Sequence, residues 1–348
     1  MRISELLIKW YSISKRDLPW RNTNDPYKIW LSEVMLQQTR VEQGMPYYHK
    51  FIEHYPTISD LANATEQEVL TLWQGLGYYS RARNMHSTAQ YISNNLGSQF
   101  PQKFNEILEL KGVGAYTAAA ISSFAFNLPY PVIDGNVQRV VSRLFCIEDP
   151  INKPIGQKKI REAVDQIFDK RNPAKFNQAI MELGSLVCTP KNPTCDSCPL
   201  SIKCPALLNG KVKALPKKEG KTKVKEISHT YFVFKVEDKT YIQQRKEGIW
   251  KNMYQFPLLE LDVKPETILD HVMEFIETSE TPMIQHSYQT KHLLSHRKIN
   301  ANFYTISLHR KPIFLKSNIF EIELNELSKK YPTSVLTQKF LKSCRIDD

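Results

Sequence analysis

No apolar run in the chain approaches the roughly 20 residues that a membrane-spanning helix needs, so a helical membrane anchor is not expected. The opening residues, MRISELLIKWYS, lack the basic region, apolar stretch and small-residue cleavage site of a secretory signal, and export is not expected either. No regular long-period repeat is present, which removes the solenoid folds. Cysteine is scarce, at six in 348 residues, and four of the six are crowded together. A disulfide framework would spread its cysteines over a small secreted chain. This usage fits a reducing compartment and a metal site, and the lack of a targeting segment points to a bacterial-type cytoplasmic protein. Acidic residues are also in deficit: 36 Asp and Glu stand against 47 Lys and Arg, for a formal net charge of +11. Such a surface suits a polyanionic partner and salt-dependent binding, with plain solubility charge as the alternative.

What is present is ordinary for a globular chain, with 41% hydrophobic and 24% charged residues, and the length suffices for about two domains. Residues 1–208 read as mostly helical. Asp25-Pro26 supplies an N-cap and a first-position proline. Further helical patterns cover 59–73, 80–95, 103–110, 115–126, 136–145, 157–169 and 174–187. Residues 209–226 hold Lys211, Lys213, Lys217, Lys218, Lys221, Lys223 and Lys225 with no apolar pattern, and read as a solvated linker. After it the texture changes. Ile227–Val236 and Thr240–Arg245 read as a strand pair, Pro265–Glu277 as an amphipathic helix, Asn302–Leu308 as a strand and 333–343 as a short helix. The expected architecture is therefore multidomain: an all-helical first part and a smaller α+β domain over 227–348. Cys146, amid Val140, Val141, Leu144 and Phe145, reads as a core residue.

Four groups of residues carry chemistry. Cys188, Cys195, Cys198 and Cys204 follow the spacing C-x6-C-x2-C-x5-C, and four thiols within so short a span can enclose one metal centre. Residues 104–121 place Gly112-Val113-Gly114 between two apolar helical patterns. The glycines permit a tight turn with exposed backbone N–H groups, and a helix N-terminus behind them can seat a phosphate. Asp134 follows an apolar stretch and opens a helix, as an N-cap or as a carboxylate at the mouth of a cleft. Glu33 lies mid-helix among Trp30, Val34 and Leu36, as a solvent-facing residue or as a general acid of raised pKa.

Taken together, these pieces resemble the adenine DNA glycosylases of the MutY type, within the endonuclease III (helix-hairpin-helix) superfamily. The resemblance rests on LPWR at 18–21, SEVMLQQTRV at 32–41, GLGYYSRARN at 75–84, LKGVGAYTA at 110–118, VIDGNVQRV at 132–140, NQAIMELGSLVC at 177–188 and the four cysteines. It implies a monofunctional glycosylase of base excision repair, acting on double-stranded DNA as a monomer with no membrane role. The substrate implied is adenine mispaired with 8-oxoguanine or guanine. It implies a [4Fe–4S] cluster on the four cysteines; a four-cysteine zinc site is the chemical alternative. By resemblance Glu33 protonates adenine, Asp134 stabilises the sugar cation, Tyr116 assists Asp134 by hydrogen bonding and Asn136 supports the site. Trp20, Arg21, Leu36 and Gln178 are expected to line the adenine pocket. Core packing is the alternative for Trp20 and Leu36, and a phosphate contact for Arg21.

Gln38 and Tyr78 are expected to wedge into the duplex, with Thr39 and Leu76 near the lesion. Tyr116 stands where related glycosylase/lyases carry a Schiff-base lysine, and a phenol forms no imine. The second half resembles the MutT-related domain that reads 8-oxoguanine, through GIWKNMYQFP at 248–257 and LLSHRKIN at 293–300. Leu294, Ser295 and His296 match its lesion-reading loop, with Leu294 in place of the usual Phe. The acidic metal-binding box of nucleotide hydrolases is missing, so no such hydrolysis is expected. The rival readings are a glycosylase with lyase activity, which Tyr116 opposes, and a non-catalytic lesion binder, which needs neither Glu33 nor Asp134.

Overall fold

The computed structural model describes residues 1–220 and 224–344. Its contacts separate two compact units, one of Met1–Asn63 with Asn84–Lys221 and one of Ala64–Arg83 with Thr222–Asp348. Of the lysine run, Lys221 and Lys223 lie outside the described residues.

The first unit is helical. In chain order the helices are α1 (Ile3–Ser14), α2 (Pro26–Met35), α3 (Val41–His54), α4 (Ile58–Asn63), α5 (Glu66–Leu72), α6 (Ser80–Asn95), α7 (Phe104–Leu108), α8 (Ala115–Phe126), α9 (Gly135–Leu144), α10 (Pro154–Ile167), α11 (Pro173–Leu186) and α12 (Pro205–Leu208). Of these, α5 falls in the second unit and α6 begins there. Asp25 caps α2 by accepting the Tyr27 N–H at 2.9 Å, and proline at the next position already has helical φ. Helix α2 is buried on nearly every side, from Tyr27 to Met35, as a helix apolar all round must be. It packs on α8, whose residues Thr117 to Ser123 are all buried. Small side chains on α8 (Ala118, Ala119, Ala120) allow that close approach. A second core joins Leu7 and Tyr11 of α1 to Val137, Val140 and Val141 of α9, Ile160 and Val164 of α10, and Phe176, Ile180 and Leu183 of α11.

The second unit is built on a mixed sheet. Its strands are β1 (Lys225–Val236), β2 (Lys239–Gln244), β3 (Tyr254–Gln255), β4 (Leu258–Leu259), β6 (Met283–Leu293), β7 (Arg297–Leu308) and β9 (Ile319–Glu323), while β5 (Ile276–Glu277) and β8 (Ile313–Phe314) pair separately. The main order is β3-β2-β1-β7-β6, with β9 on β2. β1 and β7 run parallel from Lys225↔Arg297 to Val236↔Leu308. Alternation along β1 sends Phe232 and Phe234 toward helix α13 (Ile268–Met273), where they meet Val272 and Phe275. Tyr231 points the other way and stacks on Phe303 at 4.5 Å, which stacks in turn on Phe340 at 4.7 Å. Phe340 lies on α15 (Val335–Ser343), after a short α14 (Leu327–Lys330).

Several expectations need correction. The pattern at 59–73 is two helices, because Thr65 and Glu68 form a capping box that starts α5 afresh. The helix expected over 265–277 is helical only from Pro265 to Met273, since Ile276–Glu277 pairs with Ile313–Phe314. Within the expected solvated linker, residues 211–219 are strapped to the first unit. Lys211 and Lys217 both pair with Glu148, the Ile151 N–H donates to the Lys217 carbonyl at 3.0 Å, and Leu215 is 2% exposed. Cys146 is only half-buried and has φ +51. It follows the end of α9 at a chain reversal rather than facing the core.

Candidate active site

A cavity of about 430 Å³ opens in the first unit. Among its walls stand Trp20, Arg21, Glu33, Leu36, Thr39, Tyr116, Asp134, Asn136 and Gln178. Residues from distant parts of the sequence thus meet at one void.

Glu33 reaches it from α2, and because α2 is enclosed the residue is only 9% exposed. The solvent-facing alternative is therefore wrong. Burial, reinforced by the nearby Asp134 charge, pushes its carboxyl up to about 7, while the Tyr116 hydrogen bond and the Arg21 charge restrain the rise. Asp134 is both things the sequence allowed. It caps α9, its Oδ1 accepting the Val137 N–H at 2.7 Å and its Oδ2 the Asn136 side-chain amide at 2.8 Å, and it faces the cavity. Burial raises its pKa, against those hydrogen bonds and the Arg139 charge, all of which favour the carboxylate. Burial and both carboxylates push the Tyr116 phenol far up, so it remains a donor. Its hydroxyl reaches Met181 Sδ at 4.0 Å, and the Glu33 carboxyl is near enough to act on it as well. Glu33 and Tyr116 project from the paired helices α2 and α8, whereas each oxygen of Asp134 already accepts one hydrogen bond from the first turn of α9.

The rim holds groups that the motifs did not single out. Glu182 is fully buried and accepts the Arg16 backbone N–H at 2.9 Å, Arg16 Nε at 3.0 Å and Nη2 at 2.7 Å, and Arg21 Nη1 at 2.9 Å and Nη2 at 2.7 Å. Although burial opposes it, these bonds hold its carboxyl down at about 2. Arg21 is thereby oriented as a wall of the cavity. Gln178 is fixed by Tyr11, whose hydroxyl donates to Oε1 at 2.7 Å. Trp20 is 8% exposed and packs edge-on to Tyr48 at 5.1 Å, so it serves core and cavity together. Glu182 lies four residues after Gln178, on the same face of α11. That spacing was the available signal; nothing in the sequence flags Arg16 or Tyr11.

Behind Asn136 runs a pair of arginines. Arg139 donates to Asn136 Oδ1 at 2.8 Å, the Gly184 carbonyl at 2.7 Å and the Cys188 carbonyl at 2.7 Å. Arg143 is 2% exposed and donates to the Thr189 carbonyl at 2.8 Å, the Leu215 carbonyl at 3.0 Å and Cys188 Sγ at 3.3 Å. All four expected thiols, of Cys188, Cys195, Cys198 and Cys204, line one small apolar pocket of about 30 Å³ beside Arg143. Among the described residues, no three His, Cys, Asp or Glu side chains are placed to grip a single metal ion.

The remaining expected residues lie elsewhere. Gly112 turns the hairpin with φ +80, and a Cβ there would come within 2.8 Å of Asn84. Gly114 precedes α8 with no side-chain cap. Val113 is 8% exposed, so its side chain faces inward. Gln38 is exposed, and both it and Tyr78 have left-handed backbones, φ +55 and +50. Leu76 is 4% exposed and presents no side chain to the surface, because it packs under the turn. In the second unit Leu294-Ser295-His296 form the tip joining β6 to β7, and the Tyr78 hydroxyl meets Ser295 Oγ at 2.8 Å.

A helical unit with a buried and a partly buried carboxylate at one cavity, followed by a sheet unit, defines a class. The HhH-GPD superfamily base excision DNA repair protein model matches residues 31–167, and a NUDIX domain model matches residues 229–343. The adenine DNA glycosylase of Buchnera aphidicola subsp. Baizongia pistaciae is 34% identical over 317 residues, 90% of this chain and 88% of that protein. That of Homo sapiens is 43% identical over 210 residues, 58% of this chain and 38% of its own length. The chain belongs to the adenine DNA glycosylase family. Among solved structures it is similar to a thermostable thymine-DNA glycosylase, with TM-score 0.53 and 27% identity over 59% of this chain and 95% of that one. Endonuclease III in a trapped covalent DNA intermediate shares the fold, with TM-score 0.52 and 21% identity over 60% of this chain and 94% of that one. Among the described residues, no helix is long and apolar enough to cross a membrane.

Proposed function

We propose that this chain is a monofunctional adenine DNA glycosylase that hydrolyses the N-glycosidic bond of adenine paired with 8-oxoguanine or guanine. The observation that carries the reading is a pair of carboxylates at one cavity, one held near neutral pKa and one whose two oxygens accept hydrogen bonds from Val137 and Asn136. Adenine within a duplex is out of reach and must be extruded at the cost of unstacking. With the base in the cavity, the Glu33 carboxyl gives its proton to N7 while the C1′–N9 electron pair departs with adenine. Tyr116 holds the Glu33 carboxyl in place. The ionised Asp134 stabilises the positive charge that develops on the sugar, as in glycoside hydrolysis. Water then adds to C1′ and returns a proton to Glu33, leaving adenine and an abasic site. Trp20, Arg21, Leu36 and Gln178 shape the base pocket, and Asn136 keeps Asp134 aligned. Since Tyr116 offers no amine, no imine forms at that position.

In the same reading residues 1–208 catalyse and 227–348 read the lesion through Leu294, Ser295 and His296, on a monomer acting on chromosomal DNA in a bacterial-type cytoplasm. Gln38, Tyr78, Thr39 and Leu76 attend the lesion side, and Gly112, Val113 and Gly114 offer backbone to phosphate. Cys188, Cys195, Cys198 and Cys204 would hold a [4Fe–4S] cluster. Their shared apolar pocket suits it, and the single C-x2-C pair, where structural zinc sites usually have two such knuckles, disfavours the zinc alternative. Such a cluster would cross-link residues 188–204 through its thiolate ligands.

The test is base release from an 8-oxoguanine:adenine duplex by wild type and Glu33→Gln. A large loss in the variant is expected. Equal rates would remove the acid role, and no release by wild type would leave a lesion-binding protein.

A further inference from the structure

A second cavity of about 530 Å³ lies in the first unit and shares one wall, Tyr116, with the catalytic cavity. We propose that it is a subsite for the sugar–phosphate backbone flanking the extruded nucleotide, with Lys158 and Arg161 as its phosphate ligands. The proposal rests on the glycosylase reading for what occupies it.

Position is the first argument. The cavity borders Ala115, the first residue of α8, and Gln138, one turn beyond Asp134 on α9. A sugar whose C1′ stands between Glu33 and Asp134 therefore has its neighbouring backbone within one nucleotide of this opening.

Chemistry is the second. Lys158 and Arg161, three residues apart on α10, share one face of the helix and line the cavity from the same side. Both are exposed. Among the described residues Arg161 has no ion-pair partner, and Lys158 has only a loose, exposed contact with Glu162 at 3.9 Å. Cations left unneutralised at the rim of a cavity suit a phosphodiester. Opposite them Phe104 and Tyr130 stack face to face at 4.2 Å, a rigid apolar surface suited to a deoxyribose. A purely structural gap between helices would close on apolar side chains and would not be edged by unpaired cations.

The test uses the full chain and a duplex with 2′-fluorinated adenosine opposite 8-oxoguanine, which binds without turnover. Lys158→Ala/Arg161→Ala should weaken binding by about tenfold or more. The slope of log K against log salt should fall by about two, near 0.9 for each phosphate released. Replacing single phosphates of the adenine strand by neutral methylphosphonates gives the deciding measurement. At least one flanking position should cost wild type affinity and cost the variant nothing.

The exposed Lys170, which does not line the cavity, is the control for net charge. If Lys170→Ala reproduces the loss, or if every methylphosphonate costs wild type and variant alike, the subsite does not exist. Binding by wild type without base release would overturn the glycosylase reading alone, because the methylphosphonate comparison needs no turnover.

Discussion

Glu33 is the residue whose environment has the most consequences. Its carboxyl is proton-bearing below about 7, so a reaction that needs the acid form should slow as pH rises through that value. Tyr116→Phe removes a hydrogen bond that lowers the Glu33 pKa, and the alkaline limb of the rate profile should move upward in pH even as the maximum rate drops. Stability should respond with a definite sign. Below the ordinary carboxyl pKa of 4.5 the folded and unfolded forms are both protonated, and burial costs nothing electrostatic. Between 4.5 and about 7 the unfolded chain ionises first, and stability declines until the folded form ionises too. With about 1.4 kcal/mol per pH unit, the accumulated penalty is on the order of 3 kcal/mol. Glu33→Gln should therefore melt higher than wild type at pH 8 and nearly equal to it at pH 4, as calorimetry can check. At this scale the sequence was readable in part. Motif residues named the cavity walls, but how near Tyr116 comes to Glu33 depends on how α2 lies against α8, which no local spacing encodes.

Among the elements, α9 and α11 set the geometry of the site through one close approach. A Cβ at Gly184 would meet the Asn136 Cβ at 2.7 Å and its carbonyl oxygen at 3.1 Å. Gly184→Ala should push the first turn of α9, and Asp134 with it, off position. We expect a loss of about 1–3 kcal/mol in stability, as for other overpacked contacts, and a fall in base-release rate at least tenfold, measured in single turnovers. Helices α6 and α8, each bounded by glycine or asparagine breaks, were legible to the residue. Helix α3 was not, because Gly44 and Pro46 interrupt its pattern. Its proline is tolerated only in the surrounding packing. β6 was also hidden: its residues MIQHSYQTKHL are mostly polar and exposed, as befits a strand at the edge of the sheet. The strap over 211–219 escaped notice for a related reason, since its attachment rests on backbone hydrogen bonds and on Glu148, far away in sequence.

For the whole molecule, the match to two domain models and the net charge of +11 describe a DNA repair enzyme that joins a helical domain to a NUDIX domain. If the β6–β7 tip reads the lesion, Ser295→Ala/His296→Ala should leave adenine release from guanine mispairs nearly intact. It should lower the preference for 8-oxoguanine mispairs by about tenfold or more, the loss of one or two hydrogen bonds to the lesion. Competition between the two duplexes in one tube measures that ratio directly, and an unchanged ratio would remove the loop from the reading. The left-handed backbones at Gln38 and Tyr78 bear on how such a protein is improved. Holding an ordinary residue there costs about 1 kcal/mol or more. The substitutions Gln38→Asn and Tyr78→Gly would keep the same backbone with less strain, since asparagine and glycine tolerate that conformation. Neither replacement would fill a gap in a base stack. A screen for heat resistance is thus expected to favour changes at these two positions that a screen for low mutation rate would reject.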